Sequence, residues 1–398
     1  MTSLNNLVSL MDINISAEFR SQLEVFKRAG RPIISLNVGE PDFNTPEHIC
    51  QAAIEAIEQG FTKYTPIEGI YELREAICTK LREENRVEYT PADIIVSTGA
   101  KQVLANALYA ICNEGDEVLI PTPCWSSYPE MVKLIGATPV FVNTEKQGGA
   151  VLTADEIKQH ITDKTKAIIL NNPHNPTGAV YDRDLLRAIG NLAQEGDFYV
   201  ISDEIYEYLV YEGGFVSIAS ISSAIKEKTI TVNGLSKAFA MTGWRVGYAA
   251  GPKQVIDAMR LIQSYTTSNM NSVSQKAAVA ALTGSKESVV HMVREFDRRR
   301  QLIIRRLQQM EGLSCLNPQG AFYIMINVSA FFGKSYKNYM IRNSMDFAMY
   351  ILDETNVLLS PGIIFMAPDH VRISYSNSLE NLEIAMNRME KALNLLRN

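Results

Sequence analysis

The sequence is poor in the residues that build stapled or metal-bound proteins. Five cysteines, Cys50, Cys78, Cys112, Cys124 and Cys315, are scattered through 398 residues, and none belongs to a C-x-x-C pair. An odd, dispersed set excludes a disulfide framework, gives no sign of a metal site and points to free thiols in a reducing compartment. Basic charge is short as well. The 38 Lys and Arg against 44 Asp and Glu leave a formal net charge of -6, with no footprint for nucleic acid or an anionic membrane surface. No apolar run reaches the roughly 18 to 20 residues that cross a bilayer. The opening MTSLNNLVSLMDINIS lacks the basic start and apolar core of an export signal. A cytoplasmic protein with no nucleic-acid or membrane partner is expected.

What is present is enough for two unequal domains: 398 residues, 46% hydrophobic and 21% charged, exceed one ordinary compact core. From Ile94 to Gly251 short β-branched runs alternate with helical ones, the pattern of parallel βαβ units. The strand candidates are DIIVSTG, DEVLIP, TPVFV, KAIILNN, FYVISDE, TITVNG and WRVGYAAG. Several are apolar at consecutive positions, as strands covered by helices on both faces should be. Between them KQVLANALYAICN and RDLLRAIGNLAQEG have helical spacing and run into glycine, expected as a left-handed C-cap. Beyond Asn271 a long helix, ESVVHMVREFDRRRQLIIRRLQQM, repeats Val290, Val293, Phe296, Ile303 and Leu307 at helical spacing. GAFYIMIN, a helix, NVLLSPG, HVRISYS and a last amphipathic helix then read as a small α+β unit. The expected boundaries are 1–45 for an N-terminal arm and part of the small domain, 46–280 for the large domain and 281–398 for the small one.

The strongest chemical signal is VNGLSKAFAMTGWRVGYAAG, with Lys237 in a strand-to-helix loop and Arg245 eight positions on. A lysine acts as a nucleophile toward an aldehyde only if it can lose its proton, through burial or neighbouring positive charge. This segment resembles the lysine region of the class I aminotransferases, the aspartate-aminotransferase-like family of pyridoxal-5'-phosphate (PLP) enzymes of fold type I. The resemblance continues through LNVGEPDF, KYTPIEG, STGAKQ, PTPCWSSYPEM, NNPHNPTGAVY, SDEIYEYLVYEG, GAFY and VRISYS. These follow the family's order across nearly the whole chain. It implies an α/β fold: a large domain with a mostly parallel seven-stranded sheet sandwiched by helices, plus a smaller α+β domain.

The resemblance assigns roles that the residues can fill physically. Lys237 is implied to carry the cofactor as a Schiff base and to act as general base. Asp203, at the end of FYVISDE where ligands of open sheets collect, would pair with the cofactor's ring nitrogen. By itself it reads more readily as an N-cap for the next helix. Tyr206 and Asn175 would meet the phenolic oxygen, Asn175 also being a natural turn residue before Pro176. STGAKQ would turn the N–H groups of Gly99, Ala100 and Lys101 toward a phosphate at a helix N-terminus, aided by Arg245, Ser236 and Tyr64 of a neighbouring subunit. Trp125 would stack on the ring and border the substrate. Arg372 would grip the substrate α-carboxylate bidentately, with Asn175 beside it and a backbone donor from Gly39. A homodimer with shared active sites follows.

Two departures from the family pattern stand out: Cys124 where an aromatic is more usual, and the bulky Ile363, Ile364 and Met366 after PG. The second set reads chiefly as core filling. Asp12 and Glu18 in the N-terminal arm would disfavour an acidic substrate and favour a cationic or neutral one. The expected reaction is ping-pong transfer of an α-amino group from an L-amino acid to a 2-oxo acid. A PLP lyase or cyclase acting on a modified or cationic amino acid is the alternative.

Overall fold

A computed structural model describes residues 24–26, 28–146, 149–150 and 152–396. Asp12 and Glu18 lie outside them. All seven strand candidates form one sheet: β1 Ile94–Thr98, β2 Glu117–Thr122, β3 Thr138–Asn143, β4 Thr165–Asn171, β5 Tyr199–Asp203, β6 Thr229–Gly234 and β7 Val246–Ala250. Their order across the sheet is β1-β7-β6-β5-β4-β2-β3. Strand β7 runs antiparallel to β1 and β6, and the remaining neighbours are parallel. The reversal has a use. It brings the start of β7, just after Arg245, to the same edge as the C-terminal ends of β1, β5 and β6, with Val246 paired to Thr98 and Gly247 to Gly234.

Consecutive apolar residues are needed because successive side chains of a strand enter opposite layers. On β4, Ile168 and Leu170 pack with Leu186 and Ile189 of the helix Arg183–Glu195, while Ala167 and Ile169 join Val103, Leu104 and Leu108 of the helix Ala100–Ile111. Each fully buried Ile or Leu contributes about 1.5–3 kcal/mol. A third layer sets Val96 and Tyr248 against Ile49, Leu73 and Ala277 of the helices Glu47–Glu58, Tyr71–Lys80 and Ser272–Thr283.

The C-terminal part builds a second, antiparallel sheet from β8 Ser314–Cys315, β9 Tyr323–Asn327, β10 Ser360–Pro361 and β11 His370–Ser374, ordered β8-β9-β11-β10. The helices Ser344–Thr355 and Leu379–Leu393 cover it. Ile34–Ser35, from the IISLNVG segment, pairs in parallel with Val357–Leu358, so this part of the arm packs on the small unit.

Two local expectations change. Gly196, after the helix Arg183–Glu195, has φ -89, and the left-handed turn falls on Asp197 at φ 51. Glycine is needed there for space, since a Cβ would lie 2.9 Å from the Phe198 ring. In the long helix Glu287–Gln308, Val290 is 47% exposed, and the buried face runs through Val289, Met292, Phe296, Ile303 and Leu307. The valines at 289 and 290 fit a 3.6-residue period almost equally well, so contact with the neighbouring layers decides between them.

Candidate active site

The strand ends, the loop after β6 and the edge of the small sheet enclose a cavity of about 880 Å³. Its wall includes Lys237, Asp203, Tyr206, Asn175, Trp125 and Arg372.

Asp203 is the last residue of β5, 4% exposed. Burial pushes its carboxyl up to about 6, against the opposing pull of a hydrogen bond from Tyr128, the Ile205 N–H and the charge of Lys237. The Tyr128 hydroxyl donates to Oδ2 at 2.7 Å, and the Ile205 N–H reaches Oδ1 at 3.3 Å. No helix starts here, so the N-cap reading of Asp203 falls away. Three residues on, the Tyr206 hydroxyl shares a 2.9 Å hydrogen bond with that of Tyr323, and burial holds its pKa well above the ordinary value.

Lys237 is half-buried at the cavity wall. Its ammonium donates to the Gly39 carbonyl and lies 5.8 Å from the ring centroids of both Tyr206 and Phe322. Burial lowers its pKa to about 8; Glu40 and Asp203 oppose the shift, while Arg372 and Arg245 add to it. An amine so placed loses its proton more readily than an ordinary lysine at about 10.4.

The anion-facing corner is the turn from β1 into the helix Ala100–Ile111. Gly99 adopts φ 80, and a Cβ there would fall 2.4 Å from the Arg245 guanidinium. Gly247 is needed for the same approach from below, because its Cβ would stand 2.3 Å from the Ala100 nitrogen. The Gly99 N–H donates to the Ser97 carbonyl at 2.7 Å. The N–H groups of Ala100 and Lys101 follow it in the first turn of the helix. Ser236 and Arg245 line the same corner, Arg245 with a left-handed backbone (φ 58) and a hydrogen bond to the Thr242 carbonyl at 2.9 Å. The Lys101 ammonium sits 4.7 Å from the Trp125 ring centroid and 3.2 Å from the Ser127 hydroxyl.

Arg372, on β11, is 6% exposed and is no surface salt-bridging residue. One guanidinium nitrogen donates to Asn175 Oδ1 at 2.8 Å and another to the Asn37 carbonyl at 3.1 Å. Nε is buried without a partner. The guanidinium lies between the rings of Tyr323 and Phe365, 4.3 and 4.5 Å from their centroids. Asn175 is held from behind, its N–H donating to Asn171 Oδ1 at 2.7 Å. Gly39 faces Tyr323, whose hydroxyl would be 3.0 Å from a Cβ there.

One expected residue stands apart. Tyr64 is 90% exposed and does not line the cavity of its own chain. Other contributors carry no role in the sequence reading: Tyr128, Tyr323, Asn171, Asn37 and Glu40. The two tyrosines sit inside the quoted motifs PTPCWSSYPEM and GAFY, which is the signal that would have found them. The two departures from the family pattern meet, with the Cys124 thiol 3.7 Å from Met366 Sδ. Among the described residues no group of His, Cys, Asp or Glu could hold a metal, and no helix is long and apolar enough to cross a membrane. All five cysteines are free.

Comparison with known proteins gives the family. A protein described as "Probable aspartate/prephenate aminotransferase" from Rickettsia bellii (strain RML369-C) is 47% identical over 379 residues, 94% of this chain and 95% of that one. The crystal structure of the aspartate aminotransferase from Rhizobium meliloti superposes with a TM-score of 0.96 at 39% identity, covering 100% of both chains. The aspartate aminotransferase from Thermus thermophilus with maleate gives a TM-score of 0.92 at 42% identity over 98% of this chain and 100% of that one. The model of the family "Aminotransferase class I and II" matches residues 31–389. With the fold, the cleft and the sequence agreeing from end to end, the chain belongs to the class I and II aminotransferases.

Proposed function

We propose that this aminotransferase uses pyridoxal 5'-phosphate and moves the α-amino group of aspartate to a 2-oxo acid by a ping-pong mechanism. The carrying observation is Lys237, an amine lowered to about 8 that shares one cavity with a buried carboxylate and a buried guanidinium. Aspartate as the donor rests on the similar proteins and on the number of cations around the cavity.

The residues fit such a cofactor. Gly99 has no side chain to hold off the Arg245 guanidinium, which a Cβ there would meet at 2.4 Å, so Arg245 stands at the helix start with Ser236 and the N–H groups of Ala100 and Lys101, a donor set suited to a phosphate. Trp125 offers a ring face, and Asp203 a carboxylate that remains anionic above about 6. Asn175 accepts from Arg372 through Oδ1, leaving its amide N–H groups, with the Tyr206 hydroxyl, for a phenolic oxygen. When bound, the cofactor supplies an electron sink for the bond broken at the substrate α-carbon.

The chain's own groups do the rest. Arg372 and the Gly39 N–H orient the α-carboxylate, the unpartnered Nε marking unused donor capacity. Lys101, beside Trp125, supplies charge for a second carboxylate. Lys237 takes the α-proton and gives it back as general base and acid. The working unit is a cytoplasmic homodimer, in which Tyr64 reaches the phosphate corner of a second copy.

Borohydride reduction of the purified protein should fix a pyridoxyl group on Lys237, seen by peptide mass spectrometry. Aspartate alone should bleach the yellow absorbance stoichiometrically. An unmodified Lys237 peptide would sink the cofactor reading, and bleaching by other amino acids but not aspartate would sink the choice of donor.

A further inference from the structure

We propose that Met366 is a positioning residue: it pins the turn Gly362–Phe365, and Arg372 with it, to the strand end that carries Trp125. The inference rests on Arg372 binding the substrate carboxylate. Met366 has φ 61, a left-handed conformation that is strained for a residue with a Cβ. It follows the turn between β10 and β11 of the small sheet. It is partly buried and packs against the large-sheet cluster that contains Cys124, and among the described residues it is the one side chain beyond Met259 that does so.

Two bonds tie the same turn to position 124. The Cys124 N–H donates to the Phe365 carbonyl at 3.1 Å, and the Cys124 thiol donates to Met366 Sδ at 3.7 Å. Phe365 in turn supports one face of the Arg372 guanidinium. The turn is too tight to absorb a shift. The Ala367 N–H closes on the Gly362 carbonyl at 3.0 Å, and a Cβ on Gly362 would stand 2.2 Å from the carbonyls of Ala367 and His370. Strands β10 and β11, which flank it, are paired through Ser360 and Arg372. A displaced Met366 therefore moves Phe365 and the guanidinium together, changing the gap between Arg372 and the Trp125 ring. Cys124 is the matching half, because a small thiol leaves the volume that the thioether fills. A bulky ring at 124 would overpack the seat.

The test uses the holoenzyme and calorimetric titration with maleate, an unreactive dicarboxylate. Met366→Gly suits the left-handed backbone and removes only the plug. It should weaken maleate binding roughly fivefold to tenfold and raise KM for aspartate more than it lowers kcat, with a thermal midpoint close to that of the parent. Cys124→Phe should also weaken maleate binding, and the double variant Cys124→Phe/Met366→Gly should regain part of the loss. Arg372→Lys is run alongside. If it weakens maleate binding while Met366→Gly binds like the parent, the inference is overturned alone. If Arg372→Lys itself leaves maleate binding unchanged, the Arg372 reading falls and the inference with it.

Discussion

Two buried or half-buried lysines near the strand ends make opposite use of their surroundings. Lys80 is 4% exposed, donates to Asn85 Oδ1 at 2.6 Å and pairs with Glu207. Glu207 also accepts from Asn85 at 2.7 Å and from Asn233 at 2.8 Å. Each charge there is compensated, and the group ties the helix Tyr71–Lys80 to the segment after β5 and to the end of β6. In the cavity, Lys237 has one hydrogen bond, to the Gly39 carbonyl, and Arg372 keeps a buried Nε without a partner. A satisfied buried pair holds structure, and removing one partner leaves a stranded charge. An unsatisfied set holds donor capacity for a ligand, and its perturbed lysine is the sign of a functional site.

The contrast can be broken most forcefully at Lys237. Lys237→Ala should cut transamination at least about a thousandfold, the scale of a lost general base, with a thermal midpoint no lower than the parent's. A variant keeping a tenth of the rate would end the distinction. Glu207→Ala should do the reverse, lowering stability in urea unfolding by about 3–5 kcal/mol while the folded fraction turns over within a few-fold of the parent. Arg372→Lys should raise KM for aspartate about tenfold to a hundredfold, the loss of one charged hydrogen bond, with kcat less affected.

The smallest effects concern pH. Burial disfavours the Lys237 ammonium, so in cofactor-free protein its acylation should rise through about pH 8, where an unfolded lysine would wait until about 10.4. Between those values the unfolded chain binds the extra proton. The stability of the cofactor-free protein should therefore increase with pH across that window, a slope that Lys237→Ala should remove. Tyr128→Phe takes away a hydrogen bond that favours the Asp203 carboxylate. The acid limb of activity should then move upward by about one unit; an unmoved limb would show that Tyr128 only packs.

Much of the site was legible because its residues sit at punctuation points of the chain. Asp203 ends an apolar strand, Gly99 opens a helix and Lys237 follows a strand in a loop of small residues. Contacts across long separations were not. Tyr128 meets Asp203 across 75 positions, Tyr206 meets Tyr323 across 117, and Cys124 meets Met366 across 242. The exposed Val290 and the non-left-handed Gly196 failed for a related reason: local spacing allowed two answers, and packing against Phe198 and the neighbouring layers chose one.

The amino-acid order alone determined the seven strands, the helix starts and the strand-end address of the reacting groups, because periodicity and turn chemistry act within a few residues. Only the tertiary structure decided that burial lowers the Lys237 amine, that the Arg372 guanidinium lies against two rings, and that the Gly99 N–H meets the Ser97 carbonyl. Desolvation and Coulomb forces depend on distance in space, and chain position does not specify that distance until the layers have packed.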